Sequence, residues 1–295
     1  MKAEGIIVKA LSGFYTVDTG EREITCKARG RFRLDGSSPL VGDRVVCLAE
    51  ENGSGRIDHL LERKNFFIRP AVANIDALVF VAANVNPVTD PYLIDRISVI
   101  AEEAACELII CINKSDLDPG DRLFEIFRKT GYPVLRTSAE NGEGLDRLRD
   151  FLRGKISAFT GNSGVGKSSI LNALLPEAKI ETAAVSEKLG RGKHTTRHVQ
   201  LYALGEDTYI ADTPGFASLD LTMTNSIQKE QLQYDFIDFA PYLGKCRFQD
   251  CAHLKEPDCA VRAAVAAGDI DESRHRSYAR LYELSAQHKF WECQT

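Results

Sequence analysis

KISAFTGNSGVGKSSILNALL (155–175) is the stretch that decides the fold. KISAFT (155–160) is an apolar run of strand length, GNSGVGKS (161–168) a glycine-rich turn, and KSSILNALL (167–175) an apolar-periodic helix. Strand, then G-x-x-x-x-G-K-[ST], then helix is the context that a phosphate-cradling loop requires. Gly161, Gly164 and Gly166 let the backbone curve tightly and bring its amides against anionic oxygens. Asn162, Ser163, Val165 and Ser169 complete the expected contact set. Lys167 places an ammonium at the β- and γ-phosphates, Ser168 offers a hydroxyl to Mg²⁺, and the helix start adds its positive end.

Working back from the cradle, ALVFVAA (77–83), ELIICI (107–112) and PVLRT (133–137) read as strands. Between them PYLIDRISVIAEEA places Leu93, Ile94, Ile97, Ile100, Ala101 and Ala104 on one helical face, and further helices are expected near 121–130 and 144–153. Beyond the cradle, RHVQLYAL (197–204) and DTYIAD (207–212) read as two more strands. Strands alternating with helices imply a mainly parallel sheet covered on both faces.

NKSD (113–116) ends the strand ELIICI, at the strand terminus where open α/β sheets bind ligands. An Asp116 carboxylate can accept from guanine's N1–H and exocyclic amine, whereas adenine lacks that donor pair. Asn113 meets the N7 and O6 side, the stem of Lys114 lies along the ring, and Ser115 sits between them. TSA (137–139) ends the next strand and offers the amides of Ser138 and Ala139 to O6.

DTPG (212–215) ends DTYIAD: Asp212 is expected to hold Mg²⁺ through water and Gly215 to sense the γ-phosphate. RGKHTTR (191–197) has the composition of a loop that orders on nucleotide. Thr195 and Thr196 both offer a second hydroxyl for Mg²⁺, with Thr196 favoured. Where many GTPases carry a water-orienting Gln after D-x-x-G, this chain has Phe216, which can do neither half of that task. His194 is the candidate replacement; a solvent-exposed loop histidine is the alternative.

The motif order is N-K-x-D, S-A, cradle, Thr, D-x-x-G, a circular permutation of the usual order. Such a cut is tolerated where chain ends lie close together at the surface. The segment after DTPG then leads directly into the C-terminal region.

Residues 1–66 read as four or five short strands broken by Gly, Asp, Asn and Ser, which suits a small closed barrel, an OB-fold first and an SH3-like barrel second. The last seventy or so residues are helical with Cys and Pro punctuation. Cys246-x4-Cys251-x-His253-x5-Cys259 supplies three thiolates and one imidazole, a closed tetrahedral set for structural Zn²⁺. Such a site adds on the order of 10 kcal/mol to a segment short of apolar core. Cys26, Cys47, Cys106 and Cys111 lie in apolar stretches and are expected as buried small hydrophobes.

The chain has 295 residues, 44% hydrophobic and 27% charged, with a formal net charge of −5. That balance argues against holding nucleic acid by bulk charge. Residues 1–66 carry 11 Lys/Arg against 10 Asp/Glu, and from Ala240 onward the count is 8 against 8. Basic side chains cluster locally in KARGRFR (27–33), either a phosphate-facing strand or a solvated one. With no apolar run of membrane length and no signal-like N-terminus, a cytoplasmic protein with no membrane partner is expected.

The permuted order, GNSGVGKSS, RGKHTT, DTPGF and the C-x4-C-x-H-x5-C tail together resemble the RsgA (YjeQ/YloQ) family over essentially the whole chain. The resemblance implies an OB-fold over 1–66, a permuted GTPase over 67–222 and a zinc-binding helical domain over 223–295. It also implies a monomer that binds the small ribosomal subunit and its rRNA, acts late in subunit maturation, and hydrolyses GTP with stimulation by that subunit. The matching histidine is implicated in hydrolysis there, which points to His194. Potassium-dependent GTPases carry Asn where this chain has Gly164, so no potassium site is expected. An RNA-modifying enzyme and a binding module with negligible hydrolysis are the competing classes.

Overall fold

The computed structural model describes residues 2–30, 32, 38–50, 53–177, 199–212 and 228–287. Five N-terminal strands, β1 (Lys2–Leu11), β2 (Phe14–Asp18), β3 (Glu23–Ala28), β4 (Arg44–Ala49) and β5 (Ser54–Leu60), close on themselves. β1 pairs with both β2 and β4, and β3 runs parallel to β5. A register shift in β1 between Ile7 and Lys9 bends the strand so that it serves both neighbours. This is an OB-like closure, and Ile7, Val17, Ile24, Cys26, Val45, Cys47 and Ile57 fill its interior.

After a short hairpin, β6 (Phe66–Phe67) with β7 (Val72–Ala73), the helical and sheet elements alternate. They are β8 (Ala77–Ala83), α1 (Pro91–Glu103), β9 (Glu107–Asn113), α2 (Asp121–Phe127), β10 (Val134–Arg136), α3 (Leu145–Leu152), β11 (Ile156–Thr160), α4 (Lys167–Leu174), β12 (Gln200–Gly205) and β13 (Thr208–Asp212). The sheet order is β10-β9-β8-β11-β13-β12, parallel except for β12. Alternate residues of the strands feed two cores. Leu78, Phe80, Ile110 and Ile112 meet α1 and α2 on one face, while Val79, Val81, Ile109 and Cys111 meet α3 and α4 on the other. Burial on both faces explains why β8 is apolar without interruption.

The sheet does not stop at β12. Lys9 of β1 pairs with Gln200 of β12, so barrel and parallel sheet form one run of 11 strands. Tyr209 adds a second tie, its hydroxyl donating to Asp18 at 2.9 Å. The barrel interior and the α1/α2 face of the sheet belong to a single apolar cluster, joined through Phe67, Val72 and Ile75.

The C-terminal region comprises α5 (Leu232–Asp235), a 3₁₀ turn (Ile237–Phe239), α6 (Ala260–Ala267) and α7 (Glu272–Gln287). Its small core of Phe236, Phe239, Val261, Tyr278 and Leu281 closes over Val99 of α1. That packing explains why Asp95, Ser98 and Val99 are buried although they lie off the apolar stripe read from the sequence. Arg274 of α7, fully buried, donates to Asp95 at 2.8 Å and to Asp238 at 2.5 Å. Such a triad adds little net stability, because desolvation offsets much of the attraction, whereas removing one partner leaves a buried charge uncompensated. Cys26, Cys47, Cys106 and Cys111 are all buried thiols, as expected. No helix among the described residues is long and apolar enough to cross a membrane.

Candidate functional site

The parallel strands β8, β9, β10, β11 and β13 all end on one edge, and the predicted motifs lie there. The cradle leaves β11 and opens α4 with Gly166 as its cap at φ +98°. A side chain at Gly166 would lie 2.3 Å from the Asn113 Nδ2, and one at Gly161 2.2 Å from the Val81 carbonyl. Both positions therefore exclude any Cβ, from φ and from close neighbours alike. Ser168 and Ser169 fall in the first turn of α4. The Lys167 ammonium bends back to donate to the carbonyls of Gly161 (2.7 Å) and Asn162 (2.6 Å). Desolvation by burial pulls its pKa down to about 8.

Asn113, the last residue of β9, is buried and ties the two motifs together. Its Nδ2 donates to the Val165 carbonyl inside the cradle at 2.9 Å. Its Oδ1 accepts from the Ala139 amide at 3.3 Å and from the Thr137 hydroxyl at 3.4 Å. Three segments, N-K-x-D, T-S-A and the cradle, thus share one side chain. The Ala139 amide, expected on the base, is here turned to Asn113.

Asp116 is exposed rather than buried, and the Ser138 hydroxyl donates to its Oδ1 at 2.6 Å. One carboxylate face is thereby oriented while the other stays open at the edge. Ser115 donates from its hydroxyl to Glu143 at 2.7 Å and from its amide to the Thr137 carbonyl at 3.1 Å. Lys114 takes φ +65°, uncommon for a lysine, and its ammonium donates to the carbonyl of Asn86 in the β8–α1 connection. The same connection brings Pro87 within 3.4 Å of where a Cβ on Gly164 would stand. Glu143 and the 84–90 connection were not legible beforehand, because neither carries a motif. Thr137 lay inside T-S-A, and its hydroxyl role needed the tertiary register.

Asp212 closes β13, adjacent to β11 through the Ala158–Ala211 pairing. His194, Thr195, Thr196, Gly215 and Phe216 lie outside the described residues.

The second cluster lies behind α5. Ligand atoms of Cys246, Cys251, His253 and Cys259 all fall within 4.8 Å of one another. His253 Nδ1 stands 3.5 Å from the Cys246 sulfur and 3.4 Å from that of Cys259. Its other nitrogen, Nε2, lies 3.0 Å from Gln233 Oε1, an acceptor, so Nε2 carries the proton and Nδ1 presents a lone pair inward. Burial lowers the His253 pKa, which keeps the imidazole neutral. Amides of Ala260 and Arg262 point at the sulfurs of Cys246 and Cys259, at 3.3 and 3.5 Å. Desolvation by burial pushes the Cys251 thiol up to about 12. Donor type, spacing and inward lone pair all fit a tetrahedral cation that would hold the sulfurs as thiolates.

A glycine cradle after a parallel strand, joined to an N-K-x-D motif that precedes it in the chain, defines a circularly permuted P-loop GTPase. Comparison with known proteins agrees. The family model for the RsgA GTPase matches residues 60–222, and that for the RsgA N-terminal domain matches residues 4–57. The small ribosomal subunit biogenesis GTPase RsgA of Bacillus cereus is 44% identical, over 97% of this chain and 98% of its own length. Its Thermotoga maritima counterpart is 43% identical over 98% and 99%. Among solved structures, YjeQ from Thermotoga maritima superposes with a TM-score of 0.84 at 38% identity, covering 98% of this chain and all of the other. YloQ, described as a circularly permuted GTPase, gives 0.82 at 37%, covering 98% and 96%. The chain belongs to the RsgA GTPase family, whose members hydrolyse GTP.

Proposed function

We propose that this chain is a small-subunit biogenesis GTPase that binds GTP at the strand-terminal edge and hydrolyses it to GDP and phosphate. The observation that carries the reading is the Asn113–Val165 hydrogen bond of 2.9 Å, which brings the guanine motif against the phosphate cradle despite the permuted order. In this reading Asn113, Lys114, Ser115 and Asp116, with Ser138 and Ala139, take the base. The backbone from Gly161 to Gly166, with Lys167, Ser168 and Ser169, takes the phosphates. Thr195, Thr196, Asp212 and Gly215 complete the γ-phosphate side, with Ser168 and Thr196 as the Mg²⁺ ligands. Bound Mg²⁺ offsets charge on the β- and γ-oxygens. His194 orients the attacking water in place of the side chain that Phe216 cannot supply. Cys246, Cys251, His253 and Cys259 hold one structural Zn²⁺, which folds a region whose own apolar core is small.

The relatives are named for biogenesis of the small ribosomal subunit. This chain is proposed to act there as a cytoplasmic monomer, docking on the subunit's rRNA late in maturation and hydrolysing GTP when the subunit stimulates it. Its units are taken as 1–66, 67–222 and 223–295.

GTP turnover with and without purified small subunits tests the reading. Stimulation is expected, together with co-sedimentation in the presence of a non-hydrolysable GTP analogue; turnover indifferent to subunits would refute it. Asp116→Asn should shift preference from guanine to xanthine nucleotides. Loss of stimulated turnover in His194→Ala, with GTP affinity kept, is the result expected for a water-orienting residue.

A further inference from the structure

Where α7 passes the amino end of α1, the C-terminal region and the sheet domain leave an open cleft of about 200 Å³. Three arginines line it: Arg122 from the first turn of α2, and Arg276 and Arg280, one helical turn apart on α7. All three are exposed, while Ser277 is buried beneath them and Tyr92 is half-buried. The Arg280 guanidinium carbon lies 4.0 Å from the centre of the Tyr92 ring. Stacking of this kind holds the guanidinium plane and leaves its edge N–H donors available to an anion. Among the described residues none of the three arginines makes an ion pair. The one carboxylate on the wall, Asp90, caps α1 by accepting from the Tyr92 amide at 3.0 Å.

Three guanidinium groups gathered at one cleft repel one another unless an anion joins them. Planar forks with several N–H donors match the oxygens of a phosphate. The space falls below the roughly 300 Å³ at which pockets begin to hold whole drug-sized ligands, so it suits a phosphate group and not an entire nucleotide. We propose that this cleft is a phosphate-binding site for the backbone of an RNA strand. It lies apart from the cradle but is joined to it, because the 84–90 connection that starts α1 also touches Lys114 and Gly164. The proposal rests on the reading that RNA is a partner, and the experiment separates the two.

Binding of the full-length protein to a labelled single-stranded RNA and to small subunits is measured between 50 and 200 mM salt. Wild type, the double variant Arg276→Gln/Arg280→Gln and the single variant Arg122→Gln are compared. The double variant is expected to lose at least tenfold in affinity at the lowest salt. Its slope of log affinity against log salt should fall by about 0.7 for each phosphate contact removed. Basal GTP turnover and thermal midpoint should stay at wild-type values, since these side chains are exposed and outside the nucleotide edge. RNA binding with unchanged affinity and slope in both variants would overturn the cleft assignment alone. A wild type that binds neither RNA nor subunits would overturn the RNA reading, and the cleft assignment with it. Binding of millimolar inorganic phosphate to the wild type that is lost in the double variant, with RNA affinity unchanged by the same substitutions, would assign the arginines to free phosphate and overturn the RNA source.

Discussion

Asn113 donates from Nδ2 to the Val165 carbonyl across 2.9 Å, so the residue that begins the guanine motif also props the middle of the phosphate cradle. Truncation to Asn113→Ala leaves a buried carbonyl unpaired, at a cost of roughly 1–3 kcal/mol. Two losses are therefore expected: GTP affinity down by at least tenfold, and a lower melting temperature in the nucleotide-free protein. Asp116→Ala, at an exposed position, should reproduce the first loss without the second. Calorimetric GTP titration and thermal melts of both variants check this, and an unchanged melt for Asn113→Ala would contradict the propping role.

Lys167 titrates within reach of ordinary buffers. Burial depresses its pKa from the usual lysine value to about 8, and an approaching triphosphate favours the charged form. The sign follows: below pH 8 the ammonium is already present and affinity is flat, whereas above it protonation must accompany binding and affinity declines. Dissociation constants for GTP measured from pH 7 to pH 9 should bend upward near pH 8. A flat profile would show that Lys167 keeps its ordinary pKa.

Gln233 acts on the proposed zinc site through His253. Its Oε1, 3.0 Å from Nε2, holds the ring with Nδ1 facing the three sulfurs. Partners of this kind contribute about 10–100-fold to metal affinity. Gln233→Ala should lose zinc to a competing chelator in that range, while Gln233→Glu, which keeps an acceptor, should retain it.

Asp235 is buried with one carboxylate oxygen unpartnered, and its pKa is raised to about 7 by desolvation first and then by Glu103 and Glu102. A carboxyl whose pKa rises on folding favours the folded state when protonated. Its burden is absent below the unfolded value near 4 and grows as pH climbs towards 7. Asp235→Asn should therefore raise the melting temperature at pH 8, with the gain shrinking as pH falls to 6. A gain independent of pH would point to packing instead of charge.

The alternation of apolar runs and helical stripes made nearly every element of the central sheet legible. ALVFVAA became β8 over the same residues, and ELIICI became β9 with only Asn113 added. The cradle and the N-K-x-D motif were readable because glycine and Asn-Lys-x-Asp chemistry is local. Long-range contacts were not. Nothing in the α1 stretch reveals that Asp95 and Ser98 are buried, since their partner Arg274 lies 179 and 176 positions away. Likewise the exposure of Asp116 was not legible, because it depends on how far the strand end projects, not on residue type. The basic cleft was invisible for the same reason: Arg122 and Arg276 carry no shared pattern until α7 lands beside α2.

The single apolar cluster running from barrel to sheet has a consequence for how the chain can be divided. A fragment starting at residue 67 would lay bare Val72, Ile75 and the strand edge of β12 to water, so excising the barrel should cost the remainder its cooperativity. The C-terminal region is the opposite case: its apolar cluster is its own apart from Val99 and Tyr92 of α1, and the proposed zinc at Cys246, Cys251, His253 and Cys259 would supplement it. Melting should accordingly proceed in two steps, the metal-dependent part first and the fused barrel and sheet together afterwards.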